Sequence, residues 1–168
     1  DYLLGWNRWW VKDRLNEGLL SYGSSPAENP YNEPVFETKT AAGYESGMDD
    51  SPMYIGVPFN REKHTLELQD VGLTSLYIAD CHALAEMAEI LGRSDERNEL
   101  LNRSEQLSYE MESLWDENLG AYLNYRTDID SHSSRVSPTL FYPLMAGVAN
   151  IDQSEQIVDF FYDSIKFH

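Results

Sequence analysis

Basic residues are scarce in this sequence. Its 168 residues include 12 Lys and Arg against 29 Asp and Glu, a formal net charge of −17. Recognition of a phosphate backbone needs clustered Lys and Arg, so nucleic acid is an unsuitable partner, and so is an anionic membrane surface. Cysteine is scarcer still. Cys81 stands alone, which excludes an internal disulfide and any multi-cysteine metal site. Its apolar helical setting reads as core rather than nucleophile. The four histidines, His64, His82, His132 and His168, show neither paired nor H-E-x-x-H spacing, so no metal and no cofactor is expected. Long apolar runs are missing too; none approaches the roughly 20 residues of a membrane-spanning helix. The opening Asp1-Tyr2-Leu3-Leu4-Gly5-Trp6 lacks the basic region of a signal peptide. What remains is a soluble chain of one-domain length, its location left open. At 42% hydrophobic it has enough apolar content for a core.

The apolar residues fall mainly at helical spacing. Leu3, Trp6, Trp9 or Trp10, and Asp13 predict a helix over 2–14. From Tyr22 to about Thr40, Pro26, Pro30 and Pro34 interrupt a stretch without periodicity, which predicts a long loop of the kind that carries function. Leu73, Leu76, Tyr77, Asp80, Leu84, Ala88 and Leu91 form one stripe, and Ile78, Cys81, Ala85 and Ile90 widen it, so this helix is mostly buried. Gly92 ends it. Ser94 is placed to cap the next helix, with Asp95 and Glu96 in its first turn. That helix, about 95–115, has a narrower apolar face of Leu100, Leu101, Leu107, Met111 and Leu114, and Glu99 and Arg103 are spaced to pair. Residues 121–125 alternate like a short strand, and 126–137 read as polar loop. Ser137-Pro138 opens a further helix in which Pro143 makes a kink or the true start. Asp152 and Glu155 have capping-box spacing, ahead of Ile157, Phe160, Phe161 and Ile165. The fold class is therefore all-α: antiparallel helical hairpins side by side, an α/α toroid with its longer loops gathered on one face.

The stretch that resists this pattern is Gly43-Tyr44-Glu45-Ser46-Gly47-Met48-Asp49-Asp50-Ser51-Pro52-Met53-Tyr54. It is expected to be an irregular loop. Glycoside hydrolysis needs two carboxyl groups flanking the scissile bond. One must hold a proton for the leaving oxygen, and burial or a like-charged neighbour raises its pKa for that role. Asp49 has Asp50 adjacent and Glu45 nearby. Tyr44 and Tyr54 suit the faces of a sugar, and Trp6 or Trp9 could reach the same site while the other tryptophans pack in the core. The same residues also fit a solvated acidic turn in which Asp49 or Asp50 caps a helix.

Tyr44-Glu45-Ser46-Gly47-Met48-Asp49-Asp50-Ser51-Pro52 resembles the aromatic-E-S-G-M-D-N-S-P signature of glycoside hydrolase family 63 and its mannosylglycerate-hydrolase-like relatives, with a looser likeness to the trehalases of family 37. Asp70-Val71-Gly72-Leu73-Thr74 is similar to the D-x-G-L-N segment that opens the next inner helix in that family. Leu91-Gly92-Arg93, Leu114-Trp115-Asp116-Glu117 and Phe141-Tyr142-Pro143-Leu144-Met145-Ala146-Gly147-Val148 follow in the family's order. The resemblance implies an (α/α)6 barrel and an inverting, exo-acting α-glycosidase acting on an oligosaccharide or small glycoside. It implies Asp49 as general acid and Tyr44 as the aromatic beside the sugar; Glu45, Asp50, Tyr54 and Trp9 join Tyr44 as substrate-binding candidates from the residues themselves. Asp50 departs from the usual Asn, and Met53 stands where many members carry Arg. The family's general base, a later Glu, has no counterpart here. Twelve helices of about a dozen residues also exceed this length. Residues 1–168 are thus expected to be part of the catalytic domain, with the remainder of that domain as partner. Some relatives bind calcium in a loop that Asp13-Arg14-Leu15-Asn16-Glu17-Gly18 matches only in part, since Leu15 replaces an oxygen ligand. Two other readings stay open. One is a catalytically inactive α/α carbohydrate-binding or scaffold domain. The other is an α/α-barrel sugar isomerase, although such enzymes use histidines that this loop lacks.

Overall fold

The computed structural model describes residues 2–25 and 37–163. Its longest elements are α3 (Val71–Ile90) and α4 (Ser94–Met111), a tight antiparallel hairpin. Before it come α1 (Tyr2–Asp13), the ladder β1–β2 (Leu15–Asn16, Leu19–Leu20), the short helix α2 (Lys39–Ser46), a 3-10 turn (Pro52–Tyr54) and the ladder β3–β4 (Phe59–Asn60, Thr65–Leu66). After it come the ladders β5–β6 (Trp115–Asp116, Ala121–Tyr122) and β7–β8 (Tyr125–Arg126, Ser131–His132). A 3-10 turn (Pro138–Phe141) then leads into α5 (Tyr142–Ala146) and α6 (Ile151–Tyr162). The result is a partial α/α toroid of helical hairpins whose connections are small two-stranded antiparallel ladders. Of the long loop expected from Tyr22 to about Thr40, Lys39 and Thr40 are helical, and residues 26–36, like the last helical residues with Ile165 among them, lie outside the described residues.

Helix α3 is the axis of the packing. The Asp70 side chain caps it, accepting a hydrogen bond from the Leu73 N–H at 2.8 Å. Val71, Leu73, Tyr77, Ile78, Cys81, Leu84, Ala85 and Ala88 are buried, against α4 on one side and α5 on the other. Cys81 is a free, buried core thiol. The expected stripe is incomplete: Leu76, Ile90 and Leu91 are exposed. From α4, Leu100, Ser104, Leu107 and Met111 face inward. Burial of such apolar side chains contributes about 1.5–3 kcal/mol each.

A buried polar knot joins α1 to the hairpin. Asn7, fully buried, accepts from the Tyr77 hydroxyl at 3.0 Å and from Arg103 Nη1 at 2.7 Å. It donates to Asp80 Oδ2 at 2.8 Å and to the Cys81 sulfur at 3.4 Å. Glu99 then takes both Arg8 and the expected partner Arg103. Every polar group of the Asn7 side chain is thereby matched, which is what makes its burial tolerable.

Several local expectations shift. Helix α4 starts at Ser94, with Arg93 rather than Ser94 in the cap position. The link from α3 is so short that the Arg93 N–H still bonds the Ala88 carbonyl at 2.8 Å, which draws Ser94 into the first turn. The box that opens α6 is Asn150 with Gln153, not Asp152 with Glu155; each side chain bonds the other's backbone N–H at 2.9 Å. The polar stretch 126–137 contains a ladder, and Pro143 sits in the first turn of α5, which is only five residues long. No helix among the described residues is long and apolar enough to cross a membrane.

Candidate active site

Four of the residues expected to be irregular are helical. Gly43, Tyr44, Glu45 and Ser46 form the last turn of α2. Thr38 starts that helix, its Oγ1 accepting from the Ala41 N–H at 3.2 Å, and Ala41 and Ala42 favour its continuation. Gly47 ends it at φ +67°, donating its N–H to the Tyr44 carbonyl, a left-handed cap that glycine adopts without steric cost. Ser46 Oγ donates to the Gly43 carbonyl at 2.6 Å and accepts from the Met48 N–H at 3.0 Å. On the far side the Ser51 N–H bonds the Met48 carbonyl at 2.9 Å, and Ser51 with Pro52 opens the 3-10 turn. The acid loop is thus a short bend clamped at both ends. It folds back onto α2 where Gly43 leaves room: a Cβ there would lie 3.4 Å from Asp49 Cα.

Asp49 stands at the lip of a cleft of about 260 Å³ lined by Lys39, Thr40, Gly43, Tyr44, Asp49, Asp50 and Tyr54. Asp49 and Asp50 are exposed, and neither has a hydrogen-bond or ion-pair partner among the described residues. Tyr44 is 57% exposed; Tyr54 is 4% exposed, the buried wall of the cleft. Lys39, half-buried, brings the cleft a cation. Burial and the Arg126 charge both push its ammonium below the usual lysine range. Sequence reasoning passed over Lys39 and Thr40. The Thr38 cap ahead of an alanine pair was the available signal for the helix that carries them.

Glu45 points elsewhere. Arg14, 2% exposed, clasps its carboxylate from Nε at 2.7 Å and Nη2 at 2.6 Å, and the Gly23 N–H donates to it at 2.8 Å. This bidentate pair ties α2 to the end of α1. Glu45 lines a second groove with Trp6, Trp10, Tyr22, Leu73, Leu76, Tyr77 and Asp80. The structure therefore places Glu45 outside the Asp49 cleft. Trp9 also lies outside it: its ring carries the Arg14 guanidinium at 4.6 Å and stacks on Trp6 at 5.1 Å. The expected core packing of the α1 tryptophans holds only for Trp10, which packs against the core. Trp6 is exposed, and Trp9 and Trp10 are half-buried. Met53 is fully buried, its sulfur accepting from Asn124 at 3.7 Å, so the position where relatives carry arginine does not reach this cleft. In the calcium-loop-like stretch, Asn16 Oδ1 and Glu17 Oε1 receive the Lys63 ammonium at 3.0 and 2.7 Å. Among the described residues no three His, Cys, Asp or Glu side chains gather as metal ligands would.

The comparisons with known proteins agree with this architecture. No curated protein matches the sequence. Among solved structures, an uncharacterized conserved protein from Thermus thermophilus superposes with a TM-score of 0.71 at 17% identity, over 94% of this chain and 45% of that one. The mannosylglycerate hydrolase of family 63 from the same organism, in complex with glucose, gives 0.69 at 18% identity, over 94% of this chain and 43% of its own. That hydrolase in complex with Tris and D-glycerate gives 0.69 at 15%, over 94% and 46%. The chain thus spans just under half the length of these neighbours, and at such identities the likeness shows the fold. The family model for the mannosylglycerate hydrolase MGH1-like glycoside hydrolase domain matches residues 1–168. With the whole sequence inside that match, the chain belongs to the MGH1-like glycoside hydrolase family.

Proposed function

We propose that residues 1–168 supply the acid side of an inverting, exo-acting α-glycosidase site, with Asp49 as general acid. The observation that carries this reading is the Asp49 carboxylate, unpaired among the described residues at the lip of a cleft walled by Tyr44 and Tyr54. An acid that must protonate a leaving oxygen has to reach it without being held by an arginine, and Glu45, clasped by Arg14, does not meet that condition. The base, a Glu outside these residues, activates water from the opposite face at a carboxylate separation of about 6.5–9.5 Å. Closure of the cleft by the remainder of the domain would exclude bulk water from the site.

Lys39 adds a preference. An ammonium beside the acid suits a glycoside whose leaving portion carries a carboxylate, and D-glycerate is a ligand of the Thermus hydrolase. Replacing Lys39 with Met is expected to raise KM for such a substrate about tenfold, the loss of one charge-assisted contact, and to leave a neutral glycoside within about twofold.

The principal test is Asp49→Asn in the full-length polypeptide. Turnover of an α-linked substrate should fall about 10²–10⁴-fold, the usual contribution of a general acid. Melting should not change, because Asp49 is exposed. A glycosyl fluoride, whose leaving group needs less protonation, should be hydrolysed with a much smaller loss. NMR of the first product should show the β anomer. Undiminished turnover in the variant would sink the assignment; a wild-type protein that binds sugar without cleaving it would favour a binding domain.

A further inference from the structure

Two buried polar atoms behind the cleft lack partners: Asp70 Oδ2 and the Tyr54 hydroxyl. Both belong to side chains almost wholly removed from water, Asp70 at 1% and Tyr54 at 4% exposure. Buried polar groups are nearly always hydrogen-bonded, so two orphans close together call for a common explanation. They lie close enough for the Asp70 charge to bear directly on Tyr54, after desolvation the largest influence on its hydroxyl. Ser46 lies near that hydroxyl but outside hydrogen-bond geometry, and its own proton is given to the Gly43 carbonyl. Asp70 is otherwise fixed in place. Its Oδ1 accepts from the Leu73 N–H, its own N–H donates to the Leu20 carbonyl at 2.8 Å, and the side chain of Thr139 crowds Gly72 too closely for any Cβ there.

We propose that Asp70 is a positioning residue for the glycosidase site: its free oxygen, held at the N-terminus of α3, engages the Tyr54 hydroxyl across one water and so fixes the ring that walls the Asp49 cleft. The chain of consequence is short. Tyr54 closes the 3-10 turn that Ser51 and Pro52 begin, and that turn anchors the far end of the acid loop. Asp70 therefore couples the rigid α3 terminus to the loop carrying Asp49 without touching substrate. The titratable groups that feel the Asp70 charge are Tyr54 and Tyr22, and both also feel Glu45, which Arg14 neutralises. Burial raises the Asp70 carboxyl to about 6, and the hydrogen bonds from Leu73 and Gly72 hold it back from rising further. A carboxylate poised there keeps its Tyr54 link in the ionised form by accepting and in the protonated form by donating.

The proposal rests on the reading of Asp49 as the acid, and the experiment separates the two. Wild type, Asp70→Asn, Tyr54→Phe and the double variant are compared in the full-length polypeptide. Asn still caps α3 through its Oδ1 but offers an N–H in place of the accepting oxygen, and Phe still fills the ring's place, so above about pH 6 each change removes the accepted hydrogen bond while keeping the fold. The first readout needs no turnover. With ¹³C-labelled aspartate, the Asp70 carboxyl is the signal absent from Asp70→Asn. It should titrate near pH 6 in wild type and move upward by about half a unit or more in Tyr54→Phe, because the charged form loses a donor. The second readout is kinetic. Each single variant should lower kcat about tenfold with KM nearly unchanged, and the double variant should be no worse than either, as for residues acting as one unit. An Asp70 titration indifferent to Tyr54→Phe, or losses that multiply in the double variant, would overturn the link. A wild type without turnover would sink the glycosidase reading instead, and the titration would still decide whether Asp70 and Tyr54 are joined.

Discussion

The α3–α4 hairpin and the segment 38–54 are held together by different means. The hairpin packs apolar faces along its length, and its polar groups are matched within the Asn7–Tyr77–Arg103–Glu99–Arg8 network. The site segment buries little beyond Ala42, Gly43, Met53 and Tyr54. It leaves Asp49 and Asp50 exposed and depends on one clasp, Arg14 on Glu45. Two acids four residues apart therefore differ in kind. Glu45 is committed to structure, and Asp49 is left available. A scaffold that satisfies its charges and a loop that withholds one is the division expected when function is placed on a loop carried by rigid elements.

Breaking the clasp should have the largest effect. Arg14→Met leaves the Glu45 carboxylate uncompensated beneath α2, and removal of one partner from a buried pair costs about 3–5 kcal/mol. Urea denaturation should show that loss, and glycoside turnover should fall with it because α2 carries Tyr44 and leads into Asp49. If Glu45→Gln, which keeps the shape and most of the hydrogen bonding, recovers most of both, the clasp is the cause. Asn7→Leu tests the scaffold in the same way. It leaves the Tyr77 hydroxyl proton without its acceptor, Arg103 with one bond fewer and Asp80 Oδ2 without its Asn7 donor, at about 1–3 kcal/mol for the unsatisfied groups. Here melting should drop while kcat of the remaining folded protein stays near wild type.

Acid separates two carboxylates of the scaffold by sign, Glu99 within α4 and Asp70 at the α3 cap that faces the site segment. Glu99 is held down to about 2, chiefly by the hydrogen bond from Arg8. Its contribution is present above the ordinary carboxylate range and is lost as pH falls through that value. Asp70 is raised to about 6. Its native state takes up a proton that the unfolded chain does not hold until about pH 4, so its contribution is full below about pH 4 and is lost as pH rises through 6. The melting difference between wild type and Asp70→Asn should therefore move in favour of wild type on going from pH 7 to 4. That between wild type and Glu99→Gln should shrink only below pH 4. Parallel curves for the two variants would remove the distinction.

The scaffold was legible in the sequence because burial writes a period into it. Leu73, Tyr77, Leu84 and Ala88 recur at helical spacing, and the hairpin follows. The candidate site stands out in the sequence only through its motif. Nothing periodic marks Asp49, and the same glycines and proline that suggested an irregular loop at 43–46 are compatible with the helical turn that Thr38 and Gly47 delimit. Glu45 could not be separated from Asp49 by sequence either, since its partner Arg14 is 31 residues away. The two-residue ladders and the Asn150–Gln153 box depend on pairings that local patterns leave ambiguous.

A pair of glycines isolates the smallest effect. Gly47 follows α2 beside the acid, and Gly92 follows α3 in the scaffold. Both have φ +67°, and at both a Cβ would meet nothing within 4 Å. Alanine at either position is thus opposed by backbone conformation alone, at about 1 kcal/mol. Gly47→Ala and Gly92→Ala should lower stability equally. Only Gly47→Ala should change catalysis, because any relaxation of that φ angle displaces Asp49 just beyond it, and a misplacement of about 1 Å can cost a hundredfold in rate. Equal losses of kcat in both variants would mean that the acid loop responds to global stability; a loss confined to Gly47→Ala would show that the bend itself positions the acid.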